Sequence, residues 1–320
     1  MRLIMNIIGQ KNILKYIDYI LKTNNLAHNY LFYGQKHLGK ETLAKKFSQA
    51  VLCSKRKGSS YCSDCLSCQY FSKHIHPDFF YLTGEGKSSL GIDQIRNLKQ
   101  FFNSKPVLSK YKVALIVQGD KMTLQAFNAL LKLFEEPPPY SLIIITANDL
   151  TRFPLTVLSR AQVLRFSLPD RKQILSWLEG EKRNIQDLAL LLFLSSAQPG
   201  MIIQFLEDKS KINSFKESIS KSLSVLKKRN LENTLSYFQG NKSVDSKFDH
   251  LIWALRIALY NKLKLGDFLP DSFKKEQVDF SLKDLYFLIQ KAFQSKIHLE
   301  QNVNPNLVVG DFCLYLDKFN

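Results

Sequence analysis

Between Leu31 and Leu43 the chain reads LFYGQKHLGKETL, with Gly34, Gly39 and Lys40 at the spacing of a phosphate-binding loop. Glycines there let backbone N–H groups turn inward around anionic oxygens, and the lysine neutralises the outer phosphates. A working site needs a hydroxyl after the lysine to reach magnesium. Glu41 stands there instead, which predicts a carboxylate beside the phosphates. Thr42 comes one residue late, about 100° around a helix. The later run KVALIV ends in Val117-Gln118, where hydrolysis calls for an acid that holds hydrated metal and activates water. Asp120, three residues on, is expected to face elsewhere. A GxxxxGK match can arise by chance, but the flanking strand and helix are the context the motif requires. Two independent losses predict a pocket that does not hydrolyse ATP and whose binding of ATP or ADP is weak or absent.

Four of the five cysteines, Cys53, Cys62, Cys65 and Cys68, follow the pattern C-x8-C-x2-C-x2-C. Thiolates at this spacing suit one tetrahedral zinc ion, and four of them leave no open position for water, so the metal would be structural. A reducing compartment argues against disulfides, and the Cys-Pro that commonly closes an iron–sulfur motif is absent. His74 and His76 are read as ordinary polar residues, and Cys313 as a core residue. Further on, TRFPLTVLSRAQVLR places Arg160 after a strand and a loop. In an unknown fold such an arginine only pairs with a surface carboxylate. In a ring of nucleotide-binding domains it reaches a neighbour's γ-phosphate.

These groups need a frame. Tyr30–Tyr33, Phe79–Leu82, Lys112–Val117, Leu142–Thr146 and Val163–Phe166 read as strands, with helices over Glu41–Leu52, Ile92–Asn103 and from Thr123 to Pro137. The apolar periodicity of residues 7–24 adds an N-terminal helix, and Gly84–Leu90 reads as a loop. Strand and helix alternate, the pattern of a parallel sheet with crossover helices. After Pro169 the pattern becomes helical: short helices over Ile174–Glu179, Ile185–Ser195 and Met201–Glu207, a turn at Gln198–Gly200, then helices broken near Gly240, Gly266–Pro270 and Asn302–Pro305.

At 320 residues and 45% hydrophobic content the chain holds two or three domains with a real core. No apolar run approaches the ~18 residues that span a bilayer, and the first residues lack the features of a signal peptide, so a soluble cytoplasmic protein is expected. The net charge of +17 fits either a solvated lysine-rich surface or attraction to a polyanion such as DNA or RNA.

The stretches KVALIVQGDKMTLQAFNALLKLFEEPP, LIIITAND and FPLTVLSRAQ, with GIDQIRNLKQF, NVNPNLVVGDF and the cysteine insertion, resemble bacterial clamp-loader subunits of the AAA+ family. That resemblance implies an α/β plus all-α chain: an αβα nucleotide-type domain over 1–168 with a zinc module at 53–68, a helical lid over 169–210 and a helical collar over 211–320. It implies that Arg160 serves a neighbouring gamma/tau ATPase site, and that the partners are gamma/tau, delta, the sliding clamp and primer–template DNA, with Arg96 a candidate for phosphate contact. Ala161 replaces the cysteine of the family's Ser-Arg-Cys motif, His37 replaces a loop glycine, and the lid position that carries a phosphate-sensing arginine in active members falls at or near Gly200. The rival readings are an active gamma/tau-type ATPase and a zinc-dependent nucleic-acid-binding protein outside any clamp loader.

Overall fold

The computed structural model describes residues 7–84, 86, 89–180, 188–228, 230–239, 243–265, 269–274, 276–301 and 303–319. Parts of the expected helix from Ile185, of the Gly84–Leu90 loop and of the breaks at Gly240, Gly266 and Asn302 lie outside them. The described chain forms two compact units, Met1–Arg183 with Ala197–Gly200, and Asn184–Ser196 with Met201–Asn320.

The first unit is built on a five-stranded parallel sheet of order β2-β3-β4-β1-β5. In chain order its elements are α1 (Lys11–Thr23), β1 (Asn29–Tyr33), α2 (Lys40–Leu52), α3 (Leu66–Ser72), β2 (Phe79–Thr83), α4 (Ile92–Phe102), β3 (Lys112–Val117), α5 (Leu124–Glu135), β4 (Ser141–Ala147), α6 (Leu155–Leu158), β5 (Gln162–Arg165) and α7 (Arg171–Gly180). β3 and β4 are buried along their whole length, as expected of strands covered on both faces. Alternation divides their side chains between two cores. Tyr30, Phe32, Val113, Leu115 and Ile144 pack with Ile17, Leu21, Leu43 and Phe47 of α1 and α2. Leu31, Ala114, Ile116, Ile143 and Ile145 pack with Ile95, Leu98, Phe127 and Leu130 of α4 and α5.

The second unit is helical: α8 (Leu188–Leu194), α9 (Pro199–Glu207), which begins in the first unit, α10 (Lys209–Lys228), α11 (Leu231–Gln239), α12 (Val244–Lys262), α13 (Leu282–Glu300) and α14 (Pro305–Asp317). Of the expected turn at Gln198–Gly200, Pro199 and Gly200 already belong to α9, and the turn itself falls at residues 195–197. Proline suits a first helical position, where its missing N–H and fixed φ cost nothing. Among the described residues no helix is long and apolar enough to cross a membrane.

Candidate functional site

The phosphate loop leaves β1 at Gly34, whose φ is +152°; a Cβ there would lie 2.5 Å from the Phe166 carbonyl oxygen. Gly39, at φ +83°, caps α2. Between them His37 takes a left-handed φ of 62°. Its carbonyl accepts a 2.8 Å hydrogen bond from the Gly200 N–H. A Cβ on Gly200 would approach the His37 backbone to 3.0 Å, so the start of α9 closes against the loop because position 200 is a glycine.

Lys40 is buried, and its ammonium donates to the Gly34 carbonyl at 2.6 Å, the Gln35 carbonyl at 2.5 Å and Asn148 Oδ1 at 3.0 Å. All three ammonium protons are thereby used inside the chain. Burial pulls its pKa down to about 8, with Asp120 opposing that fall and Lys36 adding to it. Asp120 lies in the turn Gly119–Lys121 that follows β3. Its Oδ1 and Gln118 Oε1 are buried without a hydrogen-bond partner among the described residues. Glu41 departs from expectation. Its carboxylate accepts from Tyr81 Oη at 2.8 Å and pairs with Lys45 at 2.6 Å, so it is held at the β2 edge and not in the loop. Thr42 is exposed and Val117 is buried. The residue that follows Lys40 thus carries a carboxylate engaged elsewhere and no hydroxyl.

The four cysteines come together. Their sulfurs all lie within 4.8 Å of one another. Cys53–Cys62, Cys53–Cys65 and Cys62–Cys68 are separated by 3.6, 3.9 and 3.9 Å. A tetrahedron with Zn–S bonds of ~2.3 Å has edges of ~3.8 Å, whereas a disulfide requires ~2.05 Å. The N–H groups of Cys62, Cys65 and Cys68 donate to the sulfurs of Cys53, Cys62 and Cys65 at 3.3–3.4 Å. Burial pushes the Cys65 thiol up, but hydrogen bonds from Ser54 and the Cys68 N–H outweigh it and bring the pKa down to about 6. The donor set fits one closed, structural tetrahedral ion.

His76 stands outside this cluster. Its Nδ1 accepts from the Asp78 N–H at 3.0 Å and its Nε2 faces Ser67 Oγ at 2.8 Å, so the network assigns the ring proton to Nε2. Asp78, fully buried, accepts from the N–H groups of Val107, Leu108 and Ser109 at 2.7, 2.7 and 2.9 Å. Ser67 and Ser109 both donate to the Leu52 carbonyl at 2.7 Å. This buttress joins the cysteine module to the sheet, and sequence reasoning missed it: an acid inside HPDFF carries no signature of three N–H donors thirty residues away. Asn148 was missed for the same reason.

Arg160 lies beyond α6. Its backbone is anchored, with the carbonyl accepting from Asn29 Nδ2 at 3.3 Å at the start of β1. Its guanidinium is on the surface, donating to the Thr156 carbonyl at 3.1 Å and pairing with Glu135 at 3.3 Å. Since β1 runs from Asn29 to Tyr33 and then enters the phosphate loop, about five residues at ~3.3 Å, or ~16 Å, separate this anchor from the chain's own pocket. Arg96 lies exposed on α4 and pairs with Asp93 at 2.9 Å.

Residues 9–170 match the family model described as DNA polymerase III, delta subunit. A delta' subunit of Pseudomonas aeruginosa is 33% identical over 48% of this chain and 47% of its own length. One from Haemophilus influenzae is 24% identical over 89% of this chain and 88% of its own. The tau subunit of Bacillus subtilis is 29% identical over 61% of this chain, which spans only 35% of that protein. The chain thus spans about half or less of the tau and gamma/tau relatives it matches. A gamma subunit-related protein of Thermotoga maritima superposes with a TM-score of 0.50 at 18% identity, covering 97% of this chain and 99% of that one, which shows a shared fold. From the sheet order, the degenerate loop and the extent of the delta' matches, the chain belongs to the delta-prime family of DNA polymerase III clamp-loader subunits.

Proposed function

We propose that this subunit does not hydrolyse ATP and instead supplies Arg160 in trans to a neighbouring gamma/tau ATPase site, helping the complex place the sliding clamp on primer–template DNA in the cytoplasm. The observation that carries this reading is the position of Arg160. It stands at the end of β1 opposite to the phosphate loop, so it serves another molecule's nucleotide or none. Its present partners are weak. Pairs between groups this exposed are worth ~0–1 kcal/mol, so a γ-phosphate would readily displace Glu135.

The nucleotide pocket supports the same reading. Lys40 spends its charge on the loop's own carbonyls and Asn148, Glu41 replaces the magnesium hydroxyl, and Val117 ends the strand where an acid would stand. Those features disfavour an active gamma/tau-type enzyme despite the similarity to tau. In this reading residues 169–210 form the lid, 211–320 the collar that joins gamma/tau and delta, and Cys53, Cys62, Cys65 and Cys68 hold zinc as a structural ion. The test is the ATPase of the reconstituted complex with wild-type chain and with Arg160→Ala. Loss of DNA- and clamp-stimulated turnover with assembly intact is expected; unchanged turnover refutes the role of Arg160.

A further inference from the structure

The last carbonyl of α2 is capped by two hydroxyls from distant parts of the chain. A helix leaves its final carbonyls without intrahelical donors. Here the Leu52 carbonyl accepts from Ser67 Oγ and from Ser109 Oγ, each at 2.7 Å. Leu52 immediately precedes Cys53, and Ser67 lies between Cys65 and Cys68, so three of the four clustered cysteines hold this acceptor and one of its donors. Ser67 and His76 are buried. His76 Nε2 faces Ser67 Oγ at 2.8 Å and Ser109 Oγ at 3.4 Å, and the two hydroxyl oxygens are 3.4 Å apart.

Ser109 enters this cluster from outside the cysteine insertion, on the segment between α4 and β3. Two buried charges hold that segment from the sheet. Asp78 accepts the N–H groups of Val107, Leu108 and Ser109, and the Lys112 ammonium donates to the Phe101 carbonyl and Ser104 Oγ. Ser109 thus has one anchor on the sheet and a second on the cysteine module. Gathering four thiolates around one ion fixes Cys53, Cys65 and Cys68 relative to one another, and with them the pair of groups that Ser109 meets. Coupling of this kind is reciprocal: a contact that metal loading helps to form helps to hold the metal by the same factor.

We propose that Ser67 and Ser109 are positioning residues of the metal site, so that loading of Cys53, Cys62, Cys65 and Cys68 and the order of residues 107–109 form one coupled equilibrium. The proposal rests on the reading that the four cysteines hold zinc as a structural ion, and adds to it an affinity-setting hydroxyl far outside the ligand motif.

Zinc affinity of the full chain is measured by competition with a chromophoric chelator for wild type, Ser67→Ala, Ser109→Ala, Ser109→Thr and Ser222→Ala. Ser222 is a fully buried hydroxyl on α10 that donates to the Ser218 carbonyl at 2.9 Å, and it controls for general loss of stability. Amide hydrogen exchange at residues 107–109 is followed in the zinc-loaded chains. Ser67→Ala and Ser109→Ala are expected to bind zinc about tenfold more weakly, as outer partners of metal ligands do, while still loading one ion at saturation. Ser109→Thr, which keeps the hydroxyl, and Ser222→Ala should bind as wild type does. In loaded Ser67→Ala, exchange at residues 107–109 should be about tenfold faster. Wild-type zinc affinity in Ser109→Ala, equal weakening by Ser222→Ala, or unchanged exchange in Ser67→Ala overturns the proposal and leaves the zinc reading standing. A wild-type chain that takes up no zinc overturns both.

Discussion

Replacing Arg160 by alanine separates catalysis from architecture. Structurally the change removes a 3.3 Å pair with Glu135, with side chains 39 and 48% exposed, and a contact with the Thr156 carbonyl. Solvent screening holds that pair to ~0–1 kcal/mol, and the Asn29 contact survives because it uses the residue 160 carbonyl. The melting temperature should move by no more than about 4 °C in a chain of this size. Catalytically, an arginine finger contributes about 10³–10⁵ in rate, or about 4–7 kcal/mol, at the site it serves. Single-turnover ATP hydrolysis by the assembled complex, stimulated by clamp and primed DNA, should therefore fall by at least about 10³ at the site facing this subunit. Arg160→Lys should not restore it, because an ammonium cannot reproduce the planar two-point contact. Glu135→Gln, which only frees the guanidinium, should be near neutral. A fully assembled Arg160→Ala complex that hydrolyses ATP at the wild-type rate would refute the reasoning outright.

Lys40→Ala should barely change the ATPase of the same complex, since the ammonium is committed to its own loop; a loss matching that of Arg160→Ala would show that this pocket takes part. Cys65→Ser, or chelation, should lower the melting temperature while leaving the chemistry to the neighbours, with bound zinc followed by elemental analysis at about one ion per chain. Asp78→Ala leaves the N–H groups of Val107, Leu108 and Ser109 without their acceptor and should cost about 1–3 kcal/mol in denaturant unfolding; no measurable cost would mean the buttress is dispensable. His76 is held neutral by burial, against the pull of Asp78, so the unfolded chain takes up its proton first as pH falls. Stability from this residue is complete above its ordinary value near 6.5 and is lost below it, a slope that His76→Gln should flatten in melting curves taken between pH 7 and 5.

The sheet was legible because its strands are hydrophobic runs of strand length bounded by turns, KVALIV and LIIITA being the plainest. α5 was legible from its apolar spacing and from the Pro137–Pro139 stop, and Thr123 accepts the capping bond. The cysteine spacing announced a shared ligand set, and the sulfur separations agree with it. What escaped were contacts whose partners are remote in sequence. Glu41 occupies the position of the hydroxyl after the lysine, which predicts a carboxylate beside the phosphates, yet Tyr81, forty residues on, holds it. A local pattern carries the period of an element and says nothing of which distant group will satisfy its polar atoms.

The closure of Gly200 on His37 couples the opening turn of α9 to the loop that precedes Lys40. Any larger residue at position 200 would bring a Cβ to 3.0 Å from the His37 backbone. The loop and that turn would then have to shift together by a few tenths of an ångström, carrying with them the carbonyls that hold the Lys40 ammonium.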